Sequence, residues 1–422
     1  MREFIDGNTA IARAAIAAGC DFFAGYPITP ATSILLSMMR DLPRVGGIAI
    51  QGEDEIASLG FCIGAAMAGR RAFTATSGPG ISLYSENIGL AIMGEVPLVI
   101  VDVQRMGPAT GGATTVAQGD VQFIRWCTSG GYPIIALCPA TVADCYTLTM
   151  RAFDLAERFR CPVFLLPDKE VATTMDTVEV ADLIPFPVRK RDTAPAKCTF
   201  VPCDYPAPDQ NVPMSPLGGP HLVRFTTSTH DEHGHLTKDP IKVARLNHHL
   251  SAKIEEHSAE IELVRADLQE GAGQLLVSYG ITARAMDEAV RMARADGLKI
   301  SALTLLSLWP LPRSALQQAM HGMRRIVVAE LNEGQMRREI AHEIAGLACA
   351  RLDLAIQPEH DTPIHPYTHT FTLGEDRQIP DRTPLPKVVG VHRIDGELIT
   401  PQQILCPVRC TCFECVAPDA FA

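Results

Sequence analysis

Four short polar segments, each following a predicted strand, hold the residues best suited to chemistry. They are Gly25–Pro30, Gln51–Glu53, Ser77–Gly80 and Gln104–Gly112. Ligands of open parallel sheets bind beyond the carboxyl ends of the strands, so these four segments should meet at one rim. Their prolines restrict the backbone and their glycines let it approach a ligand closely. The pattern predicts a preorganised polar binding site.

Three side chains of this rim could do chemistry, and each also has a simpler interpretation. Glu53 could serve as an acid or base, or it could merely stabilise the N-terminus of the next helix. Arg105 could bind an anion through its forked donors, or it could form a surface ion pair. Thr29 precedes Pro30 and could be only a turn residue. No segment matches a dinucleotide or ATP phosphate loop, which disfavours nicotinamide and ATP enzymes.

The elements that must position these loops alternate between strand and helix over residues 8–170. Helical spacing of alanine and leucine is clearest in Glu55–Gly69 and Thr141–Glu157. Near-continuous apolar strands separated by helices indicate a parallel sheet that is covered on both faces. The predicted strands are Phe22–Gly25, Gly47–Ile50, Ala72–Thr76, Leu98–Val103, Ile134–Leu137 and Val163–Leu166.

The same alternation resumes further along the chain, with strands predicted at Gln274–Ser278, Ile300–Leu305 and Arg325–Glu330. Between the two regions the chain is rich in proline, and it then enters a charged stretch of helical character at Ile241–Asp267. Such a segment is typical of a long connection laid over a neighbouring domain or subunit.

We therefore predict an α/β fold with two doubly wound parallel-sheet domains joined by a long proline-rich connection. The first domain carries the four-loop rim and the second is smaller. The last segment has weak periodicity and ends in a cluster of cysteines. The predicted bounds are 1–185 for the first domain, 186–268 for the connection, 269–395 for the second domain and 396–422 for the cysteine-rich tail.

The composition is that of an ordinary folded protein and argues against two classes of partner. The 422 residues are 47% hydrophobic, 6% aromatic and 20% charged. Lysine and arginine number 37 against 48 acidic residues, and the net charge of −11 disfavours nucleic acid. The most apolar stretch, Ile88–Val103, is broken by Glu95 and Asp102, so no membrane span is expected. The N-terminal segment is predicted to be an amphipathic helix rather than a signal peptide, which favours the cytoplasm.

The thirteen cysteines fall into two groups. Nine are scattered, several within apolar runs, as expected of buried reduced thiols. The other four are Cys406, Cys410, Cys412 and Cys415, which fall within ten residues. They could ligate an iron–sulfur cluster or zinc, or they could be buried or interfacial thiols, because their spacing matches no standard motif.

A further cluster of ligand-type side chains lies at His230–His235, with three histidines and two acids in six residues. Such a set can bind a metal, but it can equally satisfy the backbone groups of a buried loop. We expect the loop rather than a metal centre.

Eight blocks of the sequence resemble the α subunits of 2-oxoacid:ferredoxin (acceptor) oxidoreductases, which are thiamine diphosphate enzymes. The likeness extends over residues 5–345 and does not include the segment beyond Leu405. The blocks are GYPITPAT (25–32), QGEDEIASLG (51–60), FTATSGPGISLYSENIGLA (73–91), VDVQRMGPATGG (101–112), QGDVQF (118–123), HDEHGH (230–235), LLVSYGITARA (275–285) and VVAELNEGQMRREI (327–340).

The resemblance implies roles for the rim residues. The first domain would bind the pyrimidine half of thiamine diphosphate, and the second would be similar to the C-terminal domain of transketolase. Glu53 would hydrogen-bond N1′ of the aminopyrimidine and so help the cofactor to lose its C2 proton. Thr29 and Arg105 would hold the substrate carboxylate. The other cofactor contacts implied are Tyr26, Pro27, Ile28, Ser77 and Gly78.

The resemblance also implies a partner, because half of a thiamine diphosphate site is missing. The diphosphate half needs a GDG sequence and an asparagine to hold Mg²⁺, and Gly119–Asp120–Val121 is followed by no suitable asparagine. The chain also lacks a ferredoxin-like cysteine run. In the family a separate β subunit carries the diphosphate motif and a [4Fe-4S] cluster, so we expect an obligate (αβ)₂ complex, with γ or δ subunits as further candidates.

Three functional hypotheses follow. In the first, the chain is the catalytic α subunit that decarboxylates a 2-oxoacid to acyl-CoA and CO₂ with electrons passing to ferredoxin, or that runs the reverse carboxylation. The sequence of residues 104–112 is more similar to the 2-oxoglutarate branch of the family than to its branched-chain oxoacid branch. In the second, it is a thiamine-dependent decarboxylase or transketolase-like half-enzyme without electron transfer. In the third, it is a non-catalytic assembly subunit.

Overall fold

The computed structural model describes residues 2–183, 185–351 and 385–409. The strands, in chain order, are β1 (Arg2–Ile5), β2 (Phe22–Gly25), β3 (Ile48–Gln51), β4 (Ala72–Thr76), β5 (Leu98–Asp102), β6 (Ile135–Leu137), β7 (Pro162–Leu165), β8 (Asp176–Glu179), β9 (Val264–Asp267), β10 (Gln274–Ser278), β11 (Ser301–Leu305), β12 (Ser307–Trp309), β13 (Arg325–Glu330) and β14 (Lys387–His392).

The helices, in chain order, are α1 (Gly7–Ala17), α2 (Thr32–Asp41), α3 (Glu55–Met67), α4 (Gly78–Leu83), α5 (Ser85–Met93), α6 (Val121–Arg125), α7 (Val142–Phe159), α8 (Lys169–Thr173), α9 (Pro240–Glu255), α10 (Ser258–Ile261), α11 (Thr282–Ala295), α12 (Arg313–Met320), α13 (Gln335–Arg351) and α14 (Pro401–Arg409). Short 3-10 helices lie at Leu42–Val45 and Val180–Asp182. No helix within the described ranges combines the length and apolar character needed to cross a bilayer.

The first sheet has seven strands in the order β12-β6-β7-β5-β4-β2-β3. All of its neighbouring strands run parallel except the edge strand β12, which is antiparallel to β6. Every residue of β4 and of β5 is buried, as expected of a parallel sheet with both faces covered. Strands β2 to β7 lie where the sequence predicts six strands, so these six predictions are confirmed.

Helices cover both faces of the first sheet. Apolar side chains of α1, α2 and α7 pack on one face, and those of α3 and α5 pack on the other. Asp6, Asp54 and Thr141 cap the N-termini of α1, α3 and α7, and each accepts a hydrogen bond from the amide three residues later. Caps at these points set where each helix begins and how the preceding loop meets it.

The second sheet has five strands in the order β14-β13-β10-β11-β9, parallel except for β9. Side chains of α11 and α14 pack on one of its faces. On the other face Leu275 and Val277 of β10 join the same apolar cluster as Phe164 and Leu166 of the first sheet. The two sheets therefore share a core, which fixes one against the other and confirms the predicted α/β class with two parallel sheets.

Two local predictions were wrong, and one short strand, β12, was not predicted. The stretch Ile241–Asp267 is not one helical segment, because after α9 and α10 the chain forms β9 at the edge of the second sheet. β12 leaves the second region and pairs with β6 of the first sheet. The N-terminus begins with β1, which pairs with β8, and helix α1 starts only after Asp6. In each case a distant strand supplies the hydrogen bonds, and no local pattern reports on such pairing.

Two features hold the proline-rich connection to the first domain: a small apolar cluster, and a buried hydrogen-bonded network around the carboxylate of Glu95. Tyr205, Val212, Leu246 and Leu250 form the cluster. Next to it, Glu95 accepts hydrogen bonds from three side chains of the connection. These donors are Tyr205 at 2.8 Å, His249 at 2.9 Å and Lys253 at 3.0 Å.

Candidate active site

Loops of the first sheet and a segment of the second enclose a cleft of about 560 Å³. Gly78, Arg105 and Asp120 line it from the first sheet, at the carboxyl ends of β4 and β5. Asn332 and Arg338, which follow β13, line it from the other side. The cleft thus lies where the rule for open parallel sheets places a ligand.

Arg105 is buried, with 5% of its surface exposed, and its guanidinium is held by backbone carbonyls. Nη1 donates to the carbonyl oxygen of Thr29, and Nη2 donates to that of Thr110 at 3.3 Å. The third group, Nε, is buried and has no hydrogen-bond partner among the described residues. The structure therefore brings the backbone of Thr29 and the guanidinium of Arg105 together, and it leaves the buried Nε–H without an acceptor among the described residues.

The loop after β4 presents backbone rather than side chains to the cleft. Ser77 is fully buried and its hydroxyl donates to the carbonyl oxygen of Val103 at 2.7 Å. Gly78 has a φ of +27°, and a Cβ there would lie 3.7 Å from Nε of Arg105. Of the two predicted contacts, Ser77 fixes the loop and Gly78 faces the arginine.

The loops after β2 and β3 form a neighbouring part of the rim. The amide of Gly52 donates to the carbonyl oxygen of Gly25 at 2.9 Å, which ties these two loops together. Tyr26 and Ile28 are half-buried, and Pro27 is exposed. These three predicted cofactor contacts lie outside the lining of the cleft, on the side of the rim nearer to β3.

Two glutamates follow β3, and they differ in burial. The side chain of Glu53 is exposed, and Asp54 rather than Glu53 caps helix α3. Glu55, the first residue of that helix, is only 8% exposed. A Cβ at Gly80 would lie 3.0 Å from Oε1 of Glu55 and 2.1 Å from Oγ1 of Thr76, so only glycine fits there. Glu55 is thus a buried carboxylate between the loops after β3 and β4.

Sequence reasoning passed over Glu55, although a signal was present. The buried positions of α3 recur at helical spacing, and Glu55 precedes Ser58, Leu59 and Cys62 on that face. Burying a carboxylate at the start of such a helical stripe costs free energy unless the carboxylate is paired or hydrogen-bonded, so this position is a candidate functional site. That position distinguishes Glu55 from the exposed Glu53.

A buried polar network joins the two sheets behind the cleft. Gln118 donates to Oδ2 of Asp168 at 2.9 Å, and it also accepts a hydrogen bond from the amide of Leu331 at 3.0 Å. Asn332 donates to the carbonyl oxygen of Gln118 at 2.7 Å and to the hydroxyl of Tyr279 at 2.7 Å. Burial raises the pKa of Asp168, although the amides and Gln118 that bind its carboxylate oppose the rise. The network fixes the position of the second-sheet wall.

The predicted metal ligands fall largely outside this site. Cys406 lies on α14 and is exposed, and the remaining three cysteines of the predicted cluster, Cys410, Cys412 and Cys415, lie outside the described residues. In the His230–His235 segment, Asp231 accepts hydrogen bonds from two backbone amides of its own loop. Within the part of the chain that the structure describes, no group of three metal-ligating side chains converges.

Two family models match most of the chain. Residues 13–248 match the thiamine diphosphate-binding domain of pyruvate flavodoxin/ferredoxin oxidoreductases, and residues 272–356 match core domain II of pyruvate:ferredoxin oxidoreductase. These two matches correspond to the first and second sheets.

Relatives and a solved structure agree with these matches. The chain is 42% identical over 347 residues to 2-oxoglutarate synthase subunit KorA of Methanothermobacter thermautotrophicus. The aligned residues make up 82% of this chain and 92% of that one. It is 34% identical over 341 residues to ketoisovalerate oxidoreductase subunit VorB of Methanothermobacter marburgensis, with 80% and 88% of the two chains covered.

The fold is similar to that of 2-oxoglutarate:ferredoxin oxidoreductase from Magnetococcus marinus, solved with 2-oxoglutarate, coenzyme A and succinyl-CoA bound. The TM-score is 0.82 and the identity 28%, over 97% of this chain and 65% of that one. This chain thus spans less than two thirds of the length of that chain. The predicted resemblance is confirmed, and the chain belongs to the pyruvate flavodoxin/ferredoxin oxidoreductase family, which includes the 2-oxoacid:ferredoxin oxidoreductases.

Proposed function

We propose that this chain is the α subunit of a thiamine diphosphate-dependent 2-oxoacid:ferredoxin oxidoreductase that acts on 2-oxoglutarate. The enzyme would convert 2-oxoglutarate and coenzyme A to succinyl-CoA and CO₂ and pass two electrons to ferredoxin, or run the reverse carboxylation. The observation that carries the proposal is the buried Arg105 at the rim, whose guanidinium is held by the backbone carbonyl of Thr29 and would bind an anion there. Relatives named for 2-oxoglutarate reach 42% identity, whereas those named for ketoisovalerate reach 34%.

The rim residues fit the aminopyrimidine half of thiamine diphosphate. When bound, this cofactor supplies the electron sink on which decarboxylation of a 2-oxoacid depends. Its ring nitrogen N1′ needs a carboxylate, and Glu55 offers one that is buried beside Gly80. Glu53 is the second candidate, since a partner covering the rim would bury it. We assign the role to Glu55, because its carboxylate is already withdrawn from water and positioned by a helix N-terminus.

Arg105 would hold the substrate carboxylate, with Thr29 beside it. Two carbonyl oxygens already fix the guanidinium, so little side-chain freedom is lost when a ligand binds. The unused Nε supplies a charge-assisted donor in a buried setting, where such hydrogen bonds are strongest. This arrangement would orient a 2-oxoacid and keep water away from its carboxylate.

The surface around β3 supports a partner that completes the cofactor site. β3 is the edge of the first sheet, and exposed apolar side chains lie on the strand itself, on α2, α3 and α4, and on the 3-10 helix Leu42–Val45. Large exposed apolar patches mark interaction sites. The members of this β3-edge patch are Leu36, Met39, Val45, Ile48, Ile56, Phe61 and Leu83. We propose that a β subunit covers the patch.

That β subunit would bring the diphosphate-binding motif with its Mg²⁺ and the [4Fe-4S] cluster, neither of which this chain encodes by motif. The complex would be (αβ)₂, with ferredoxin as acceptor and with γ or δ subunits as further candidates. A cytoplasmic location agrees with the reduced cysteines, since six of those that the structure describes are buried free thiols. An extra cluster or zinc at Cys406, Cys410, Cys412 and Cys415 stays a prediction.

A panel of oxoacids offered to the complex tests the proposed function. The chain would be co-expressed with its partner subunit and purified anaerobically, and reduction of a viologen dye would be followed with coenzyme A present. We expect 2-oxoglutarate to give the highest kcat/KM. Decarboxylation without dye reduction would favour the transketolase-like or decarboxylase hypothesis, and no reaction with any oxoacid would favour an assembly subunit.

A further inference from the structure

Two aspartates beside Arg105 have no role in the function proposed above. Asp102 is the last residue of β5 and is fully buried. Asp120 precedes α6 and lines the cleft. Both oxygens of Asp102 and Oδ2 of Asp120 are buried and lack a well-formed hydrogen bond within the described part of the chain, although the amide of Gly78 is near enough to lower the pKa of Asp102 somewhat. Burying carboxyl oxygens without good hydrogen bonds costs free energy, so the presence of these two aspartates needs a physical explanation.

The two carboxyl groups interact, and the negative charge of one opposes ionisation of the other. Burial raises the pKa of Asp102 well above its ordinary value, and the neighbouring Asp120 raises it further. Burial also raises the pKa of Asp120, to about 6, while Asp102 and Arg105 act in the opposite direction. Near neutral pH the pair therefore holds one proton, with Asp102 neutral and Asp120 ionised.

Asp120 is consequently the carboxylate that balances Arg105. Its amide donates to Oε1 of Gln104 at 3.3 Å, which anchors the backbone of Asp120 beside the end of β5. Among the described residues, the charged groups that line the cleft from the second sheet are Arg338 and Glu333. A substrate carboxylate arriving at Arg105 would therefore place a second negative charge close to Asp120.

We propose that Asp102 and Asp120 share one proton and couple 2-oxoacid binding at Arg105 to the uptake of a second proton by Asp120. Both are positioning residues: they act through Arg105 and the charge of the cleft. The proton comes from solvent and neutralises Asp120 as the substrate carboxylate pairs with the guanidinium. This inference rests on the proposed function, because it assumes that Arg105 receives the substrate carboxylate.

Proton uptake can be measured directly on the purified complex. Oxalylglycine, an unreactive isostere of 2-oxoglutarate, would be titrated calorimetrically at pH 7.5 in two buffers of different ionisation enthalpy. We expect uptake of about one proton in the wild type. Asp120→Asn should abolish the uptake, whereas Asp102→Asn should retain it, because the amide imitates a carboxyl that is already neutral. Glu333→Gln removes a carboxylate from the opposite wall and should leave the uptake unchanged.

The pH profile gives a second readout. In the wild type the KM for 2-oxoglutarate should rise by up to about tenfold per pH unit above pH 7, and in Asp120→Asn it should stay flat. A wild-type complex that turns over 2-oxoglutarate with a flat KM and binds oxalylglycine without proton uptake would overturn this inference and leave the proposed function intact. Uptake that persists in Asp120→Asn would also overturn it. Absence of turnover with every oxoacid would overturn both.

Discussion

At the scale of single residues, the identity of the cation at position 105 should decide how well an oxoacid binds. Arg105→Lys replaces a planar fork, whose Nη groups bind the carbonyls of Thr29 and Thr110, by a point charge. We expect the loss of about 1 to 3 kcal/mol of binding energy, which is roughly a 5- to 150-fold rise in KM for the oxoacid. Steady-state kinetics of the complex measures it, and an apparent thiamine diphosphate affinity within about twofold of wild type is the control. An unchanged KM would show that Arg105 does not hold the carboxylate.

Residue types and loop order were sufficient to predict that Thr29, Gly78 and Arg105 come together, because strand ends dictate which loops meet. They were insufficient to separate Glu53 from Glu55, two positions apart at a helix start. Only the helical phase of α3 decides which of the two carboxylates is buried, and the cap residue Asp54 sets that phase. The sequence places Asp120 only in the incomplete diphosphate motif Gly119–Asp120–Val121. Its burial near Asp102 depends on contacts between distant parts of the chain, which no local pattern reveals.

At the scale of elements, the buried carboxylate of Glu95 secures helix α9 to the first domain. Glu95 is 4% exposed, and His249 and Lys253 of α9 both bind its Oε2. Burial alone would raise the pKa of Glu95, but Lys253, Arg160 and His249 outweigh it and hold the pKa well below the ordinary 4.5. The ionised carboxylate therefore adds stability above pH 4.5, and this stability is lost as the pH falls through the lowered pKa.

Glu95→Gln should accordingly destabilise the protein at pH 7 by about 3 kcal/mol or more, because it leaves the Lys253 ammonium buried without a countercharge. Urea unfolding at several pH values measures the difference, which should be constant between pH 6 and 8 and shrink below about pH 4.5. Glu256→Gln, an exposed carboxylate that follows the same helix, serves as the matched control. A difference that does not change with pH would show that the ionised carboxylate is not what holds α9.

Element prediction succeeded where burial leaves a local pattern and failed where pairing is distant. β4 and β5 are buried along their whole length, and their short, mostly apolar runs predict both strands. β9, with Arg265 and Asp267 exposed on a sheet edge, has the composition of a solvated helix. β12 is a three-residue strand that crosses to the other sheet, and its three residues carry no period of their own.

At the scale of the whole molecule, the β3-edge patch should hold the partner subunit. Ile56→Asp places a charge at a side chain that is 51% exposed in this chain, so the chain itself should still fold. In the complex the same charge would be buried, and we expect affinity for the partner to fall by about 2 kcal/mol or more. Leu222→Asp changes a residue that is 94% exposed in the proline-rich connection and is the control. Co-purification of the tagged chain with its partner gives the result, and equal recovery with both variants would place the interface elsewhere.

The central claim is that the rim of the first sheet is the α-subunit half of a thiamine diphosphate site. Its most direct test is 2-oxoglutarate-dependent viologen reduction by complexes carrying Glu55→Gln, Glu53→Gln or neither change, at saturating cofactor and coenzyme A. Glu55→Gln should lower kcat by about 100-fold or more, since a positioned acid or base contributes at least that much, and Glu53→Gln should retain most of the activity. Full activity in both variants would contradict the claim.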